Sequence, residues 1–155
     1  MRGDLISREE ALSLIEGSTK RNHSILVSKI VKGLAERLGE DTGEWEVVGL
    51  LHDLDYDTVK GDMSKHGVAA ADILEGRLSK EGLYAIKAHD YRIGFTPRSL
   101  LDRALIAADA VAIFIEDQGI KEAEAEETLA AKLKEEAVNK PWISNSILTF
   151  CTETG

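Results

Sequence analysis

Cysteine is nearly missing from this chain: among 155 residues there is one, Cys151, close to the C-terminus. One thiol cannot close an internal disulfide, so a cross-linked secreted scaffold is excluded and a reducing, cytoplasmic setting is the expectation. Basic residues are the minority charge, 19 Lys and Arg against 28 Asp and Glu, for a formal net charge of −9. Polymeric nucleic acid and anionic membrane both require a basic face, so neither is an expected partner. A small, locally basic pocket for one phosphate group remains compatible with that balance. Long apolar runs are missing too. The N-terminal "MRGDLISREE" holds no apolar stretch of signal-peptide length. The longest run, "ALIAADAVAIFI" at 104–115, is too short to cross a bilayer and contains an aspartate. Proline occurs only twice, and no internal repeat, low-complexity linker or convincing strand pattern is visible.

What is there is helix. Hydrophobic residues at 43% and charged residues at 30% describe an ordinary globular chain, of a length that suits one domain with one core. "SREEALSLIEG" opens with Ser7 and Glu10 as a capping box and stops at Gly17. "HSILVSKIVKGLAERLG" carries Ile25, Leu26, Ile30, Leu34 and Leu38 at helical spacing and ends at Gly39. "EWEVVGLLHDL" reads as a short apolar helix, Ser64 to Gly76 as another, and "EGLYAIKAHD" as a third. "TPRSLLDRALIAADAVAIFIEDQG" has helix-start chemistry at Thr96-Pro97 and again at Ser99 with Asp102, and runs to Gly119. "KEAEAEETLAAKLKEEAVN", with Leu129 and Leu133 on a narrow stripe, describes a solvated outer helix that Pro141 ends. "PWISNSILTFC" reads as a last short helix, with Trp142, Phe150 and Cys151 in packing roles. The expectation is one all-α domain over residues 1–155, a bundle of about seven or eight helices. Its core falls near 7–118, with the outer acidic and C-terminal helices over 121–153.

Charged residues inside apolar helices carry the chemical information. Asp109 has Leu105, Ile106, Ala112 and Ile113 one turn away, and a helix apolar all round is buried. A buried carboxylate must protonate, pair or bind a cation, and pairing with an arginine or helix N–H groups is the commoner outcome. His52 and Asp53 pose the same question after Val47, Val48, Leu50 and Leu51; a frayed helix end is the bland answer. Yet the four histidines, His23, His52, His66 and His89, each lie in or beside an apolar helical segment. Imidazole and carboxylate suit a divalent transition metal, and facing helices in a bundle project such ligands inward. A structural zinc site would favour cysteines, so a histidine and aspartate set points to a catalytic metal with open or water-filled positions.

The order His23, His52-Asp53, His66, His89, Asp109 resembles the HD-domain metal-dependent phosphohydrolase superfamily, whose minimal signature is H…HD…D on a helical bundle. "LLHDLDYD" is similar to the hydrophobic-Leu-His-Asp stretch of small stand-alone members, and "AIKAHDY" and "LIAADAV" to the later histidine and aspartate motifs. The resemblance implies a first metal site of His23, His52, Asp53 and Asp109. It implies a second ion on His66 and His89, bridged by Asp53, because one-metal members lack that histidine pair. Cofactor expectations are therefore one or two divalent ions, with Mn, Fe, Ni, Co, Zn and Mg not distinguished. Such an ion lowers the pKa of bound water from ~16 toward ~7 and orients phosphoryl oxygens. The implied activity is hydrolysis of a phosphomonoester or phosphodiester, in a nucleotide or another small phosphorylated metabolite.

Candidate catalytic residues are Asp53, Asp55 and Asp57; for the latter two, orienting ligands and capping a loop are the competing roles. Single-metal nucleotidases of the family place a glutamate three residues after the HD aspartate, where this chain has Tyr56. Arg21, Lys65 and Arg98 are the candidate phosphate contacts, against surface salt bridging as their ordinary use. Two other function classes stay open: a non-catalytic metal- or ligand-binding module, and a structural domain whose histidines satisfy core hydrogen bonds. The acidic helix and the C-terminal aromatics could form a homodimer contact.

Overall fold

The computed structural model describes residues 5–118. Ser7 starts α1 (Arg8–Leu14) with the expected reciprocal cap: its hydroxyl accepts the Glu10 N–H, and the Glu10 carboxylate accepts the Ser7 N–H, each at 3.1 Å. In α2 (Arg21–Leu38) the stripe Val27, Ile30, Val31 and Leu34 is buried, and Gly39 ends the helix at φ 73°. Asp41 accepts the Glu44 N–H at 3.0 Å and starts α3 (Thr42–Leu51), in which every residue from Trp45 to Leu51 is buried. Burial on all sides follows from its place among α1, α2 and α6.

The chain then departs from its local pattern. A single turn, α4 (Tyr56–Val59), forms on the Asp55 carbonyl, which accepts from Thr58 and Val59 at 3.0 Å each. The helix expected from Ser64 to Gly76 is instead two pieces, a 3-10 turn at Met63–Lys65 and α5 (Val68–Leu74). Between them His66 is extended and Gly67 has φ 85°, with no room for a side chain: a Cβ there would lie 2.7 Å from the Ile86 carbonyl oxygen. Ser79 caps α6 (Lys80–Ala88) by accepting the Gly82 N–H at 3.0 Å. A second 3-10 turn, Tyr91–Ile93, leads towards α7 (Leu100–Gln118). That helix starts at the reciprocal pair Ser99–Asp102, at 3.0 Å in both directions, and not at Thr96-Pro97.

Helix α2 packs against α3 and α7, and α6 against α3, α5 and α7, so these elements enclose one core. Leu50, Leu51, Ile86, Leu101, Leu105, Ala108 and Val111 are among the residues that fill it. Among the described residues there is no strand, and no helix is long and apolar enough to cross a membrane. The chain is all-α, as expected; the helices expected over 121–153 lie outside the described residues.

Candidate metal centre

The polar cluster sits where four of these helices present an end or a face. His23 lies in the first turn of α2, His52 and His89 are the C-terminal caps of α3 and α6, and Asp109 is in the middle of α7. His66 stands at the break before α5, and Asp53 follows His52 in the turn after α3. All four histidines are buried, as is Asp53.

Each imidazole is held by its outer nitrogen. Nδ1–H donates to the Gly49 carbonyl in His52 (2.7 Å), to the Ile86 carbonyl in His89 (2.6 Å) and to Asp55 Oδ1 in His66 (2.8 Å). In His23, Nδ1 faces the Glu116 carboxylate at 3.2 Å. An acceptor at Nδ1 fixes the tautomer of the neutral ring and leaves Nε2 a bare lone pair. All four Nε2 atoms point inward, toward Asp53 or Asp109. Asp53 Oδ2 lies 3.6 Å from His23 Nε2 and 3.3 Å from His52 Nε2, and its Oδ1 lies 3.1 Å from His66 Nε2 and 3.4 Å from His89 Nε2. Asp109 Oδ1 completes the first group, 2.7 Å from His23 Nε2 and 3.3 Å from His52 Nε2.

These contacts are between acceptors. His23 Nε2 and Asp109 Oδ1 at 2.7 Å, and the two ring nitrogens of His66 and His89 at 3.2 Å, need a positive charge between them. His52 Nε2 is buried without a hydrogen-bond partner, which is costly unless something else binds it. Ligands ~2.1 Å from one ion stand about 3 to 3.5 Å apart, the spacing found here. The donor set therefore fits metal in two groups, His23, His52, Asp53 and Asp109, and Asp53, His66 and His89.

Comparison with known proteins agrees with this geometry. A family model of the HD domain matches residues 21–114, well over half the chain. The chain belongs to the HD-domain family. The match takes in all six residues of the two groups, and HD domains bind divalent metals. No curated protein and no solved structure matches the chain significantly.

Electrostatics in this HD centre demand positive charge. Burial disfavours the imidazolium of His52, but the Asp53 and Asp109 carboxylates outweigh it and hold its pKa well above the ordinary 6.5. Burial likewise opposes charge on His66, and hydrogen bonds to Asp53 and Asp55 raise it nonetheless to about 9. Burial would lift Asp53 and Asp109, yet the surrounding imidazoles keep both far below the usual carboxylate range. The carboxylates of the centre thus favour positive charge at His52 and His66.

A cavity of about 310 Å³ opens on the HD centre, lined by His23, Asp53, His66, His89 and Asp109, with Met63, Ile106, Ala110 and Ile113 as its apolar wall. Asp109 is therefore not buried as its apolar neighbours predict: its side chain is 23% exposed, because it shares the cavity-facing side of α7 with Ile106, Ala110 and Ile113. Asp55 is fully buried behind His66, and besides that ring it accepts the Gly67 N–H at 2.7 Å and the Ala70 N–H at 2.9 Å. It thus orients His66 and caps α5, and it is not among the residues that line the cavity. Asp57 bonds the Thr19 backbone N–H at 2.9 Å and the Thr19 hydroxyl, so it shapes the loop.

None of the three expected phosphate contacts lines the cavity. Arg21 and Lys65 are exposed, and Arg98 lies over the Tyr84 ring in a different recess. Lys20 and Arg92 line it instead, with Tyr56 and Asp90. Asp90 accepts two hydrogen bonds from the Arg92 guanidinium, at 2.9 and 2.7 Å, and one from its backbone N–H at 3.0 Å. Glu116 also escapes sequence reading, although its spacing of seven from Asp109 places both on one side of α7.

Proposed function

We propose that this chain is a metal-dependent phosphohydrolase that cleaves a small phosphorylated metabolite or nucleotide at a one- or two-metal centre. The observation that carries the reading is the convergence of four imidazole Nε2 atoms on Asp53, one carboxylate oxygen facing each pair. His23, His52, Asp53 and Asp109 would hold one ion, and Asp53, His66 and His89 a second. A bound divalent ion supplies Lewis acidity toward a phosphoryl oxygen and a water acidified to near neutrality. The chain's own contribution is orientation. Outer hydrogen bonds lock each imidazole with Nε2 inward, and the apolar wall of Met63, Ile106, Ala110 and Ile113 limits water around the ester.

A second reading is an HD module that binds metal and an anion without turnover. It is favoured by the carboxylates near the centre: Asp55 and Asp57 are engaged structurally, and Asp90 is tied to Arg92. One experiment separates the two readings. Full-length protein loaded with Mn²⁺, Co²⁺ or Ni²⁺ is assayed on p-nitrophenyl phosphate, bis-p-nitrophenyl phosphate and a nucleotide panel, with Asp53→Ala as control. Turnover lost in Asp53→Ala supports the hydrolase. Metal uptake without turnover supports the module, and activity that survives Asp53→Ala overturns the assignment of the site.

A further inference from the structure

Lys20 is the residue just before α2, and its backbone N–H is fixed by the Ser18 hydroxyl at 3.0 Å. Its ammonium lies 4.6 Å from the centre of the Tyr56 ring, and both side chains line the cavity. The Tyr56 ring in turn meets His66 edge-on, with ring centres 5.9 Å apart. A file of side chains therefore runs from the second ligand group outward: His66, Tyr56, Lys20. The arrangement is braced from behind by Asp57, which follows Tyr56 and bonds Thr19, the residue before Lys20.

The charge balance around the cavity singles out Lys20. Arg92, the other cation of the lining, is held by the Asp90 carboxylate in two hydrogen bonds. No carboxylate among the described residues pairs with the Lys20 ammonium, which is half-buried over a ring face. An aromatic face steadies a cation without neutralising it, leaving its N–H groups for an anion. We propose that Lys20 is the phosphate-binding cation of this cavity, held in reach by the Tyr56 ring and the Asp57–Thr19 link. It takes a phosphoryl oxygen that faces away from Asp53, and the wall of Ile106, Ala110 and Ile113 receives the alcohol side of the ester. The inference rests on the phosphohydrolase reading for its substrate, and on geometry alone for its anion.

Inorganic phosphate is the probe. It is titrated calorimetrically into full-length, Mn²⁺-loaded wild type, Lys20→Met, Lys20→Arg, Tyr56→Phe and Tyr56→Leu, with metal content measured in each. Loss of one charge-assisted contact predicts a roughly ten- to hundredfold weaker phosphate affinity in Lys20→Met at unchanged metal content. Lys20→Arg and Tyr56→Phe should retain most of the affinity, and Tyr56→Leu should lose part of it. If any ester proves to be a substrate, Lys20→Met should raise KM more than it lowers kcat. Lys29→Met, on the exposed side of α2, should match wild type throughout. Lys20→Met that binds phosphate as tightly as wild type overturns the proposal and leaves the hydrolase reading standing. Lys20-dependent phosphate binding without hydrolysis of any ester upholds it and removes the hydrolase reading. Metal-loaded wild type that ignores millimolar phosphate overturns the proposal.

Discussion

Asp55 has no exposed surface, and three donors converge on it: the His66 ring, the Gly67 N–H and the Ala70 N–H. Asp55→Ala strands all three and should cost about 2 to 4 kcal/mol in denaturant unfolding of the chelated protein. Asp55→Asn keeps the shape but weakens the hold on His66, and should reduce metal affinity roughly 10- to 100-fold. Unaltered metal titration of Asp55→Asn would show that something else orients His66. The histidines also predict a pH dependence. Because folding raises the His66 pKa from 6.5 to about 9, the native chain holds that proton more tightly than the unfolded one. The stabilisation is complete below the unfolded value, near pH 6.5, and fades as pH rises through about 9. Chelated protein should thus melt at lower temperature at pH 9 than at pH 6.5. Added Mn²⁺ should reverse the order, since protons compete with the ion for the same lone pairs. Parallel melting curves with and without EDTA would contradict both statements. The six clustered residues were legible as residue types, because histidine and aspartate in apolar helices have few inexpensive explanations. Lys20 was not: Arg21 stands nearer His23 in sequence, and only the phase of the first turn of α2 turns Lys20, not Arg21, into the cavity.

Helices α2 and α3 touch through Gly49, where a Cβ would lie 2.7 Å from Ser28 Cα and 2.9 Å from Val31 Cγ1. Backbone on the far side cannot swing away as a side-chain tip can, so Gly49→Ala must part the helices. The expected cost is on the order of 2 to 3 kcal/mol. The Gly49 carbonyl also accepts the His52 Nδ1–H at 2.7 Å, so metal content at limiting Mn²⁺ should fall in the same variant. Gly17→Ala, with nothing within 4 Å of its Cβ, is the control and should stay within ~0.5 kcal/mol of wild type. Equal melting temperatures for the two variants would refute the close-contact argument. At this scale, caps written into neighbouring residues were readable, as at Ser7–Glu10 and Ser99–Asp102. The break at His66–Gly67 was not. The helical pattern continues across it, while the carboxylate that ends it comes from Asp55, eleven residues upstream of His66 and in another turn. A cap supplied by tertiary contact leaves no local mark, and α4 is too short to show a period.

For the molecule as a whole, the all-α class followed from periodicity and glycine stops, and the apolar residues of α2, α3 and α7 are among those buried. The cavity did not follow, because it depends on which face of α7 meets α2 and which stays open. Any ion that binds only the folded chain raises its stability, by about 2.7 kcal/mol at a hundredfold excess over Kd. Mn²⁺ should accordingly raise Tm, EDTA should lower it again, and Asp53→Ala should be insensitive to both. Differential scanning calorimetry of the three samples checks this. With metal bound, the clustered residues would also give the chain something its one cysteine cannot. His23 and Asp109 are 86 residues apart in sequence and 2.7 Å apart in space. An ion held between them would be a removable cross-link of the folded chain, and because it leaves on unfolding, its stabilisation would follow its affinity and concentration and not a permanent loop closure. The ends of so long a loop meet late, so the ion should slow unfolding and leave the folding rate nearly unchanged. A chelator would then act on this protein as a reductant acts on a disulfide-bonded one, releasing the chain by cutting a clasp that spans 86 residues.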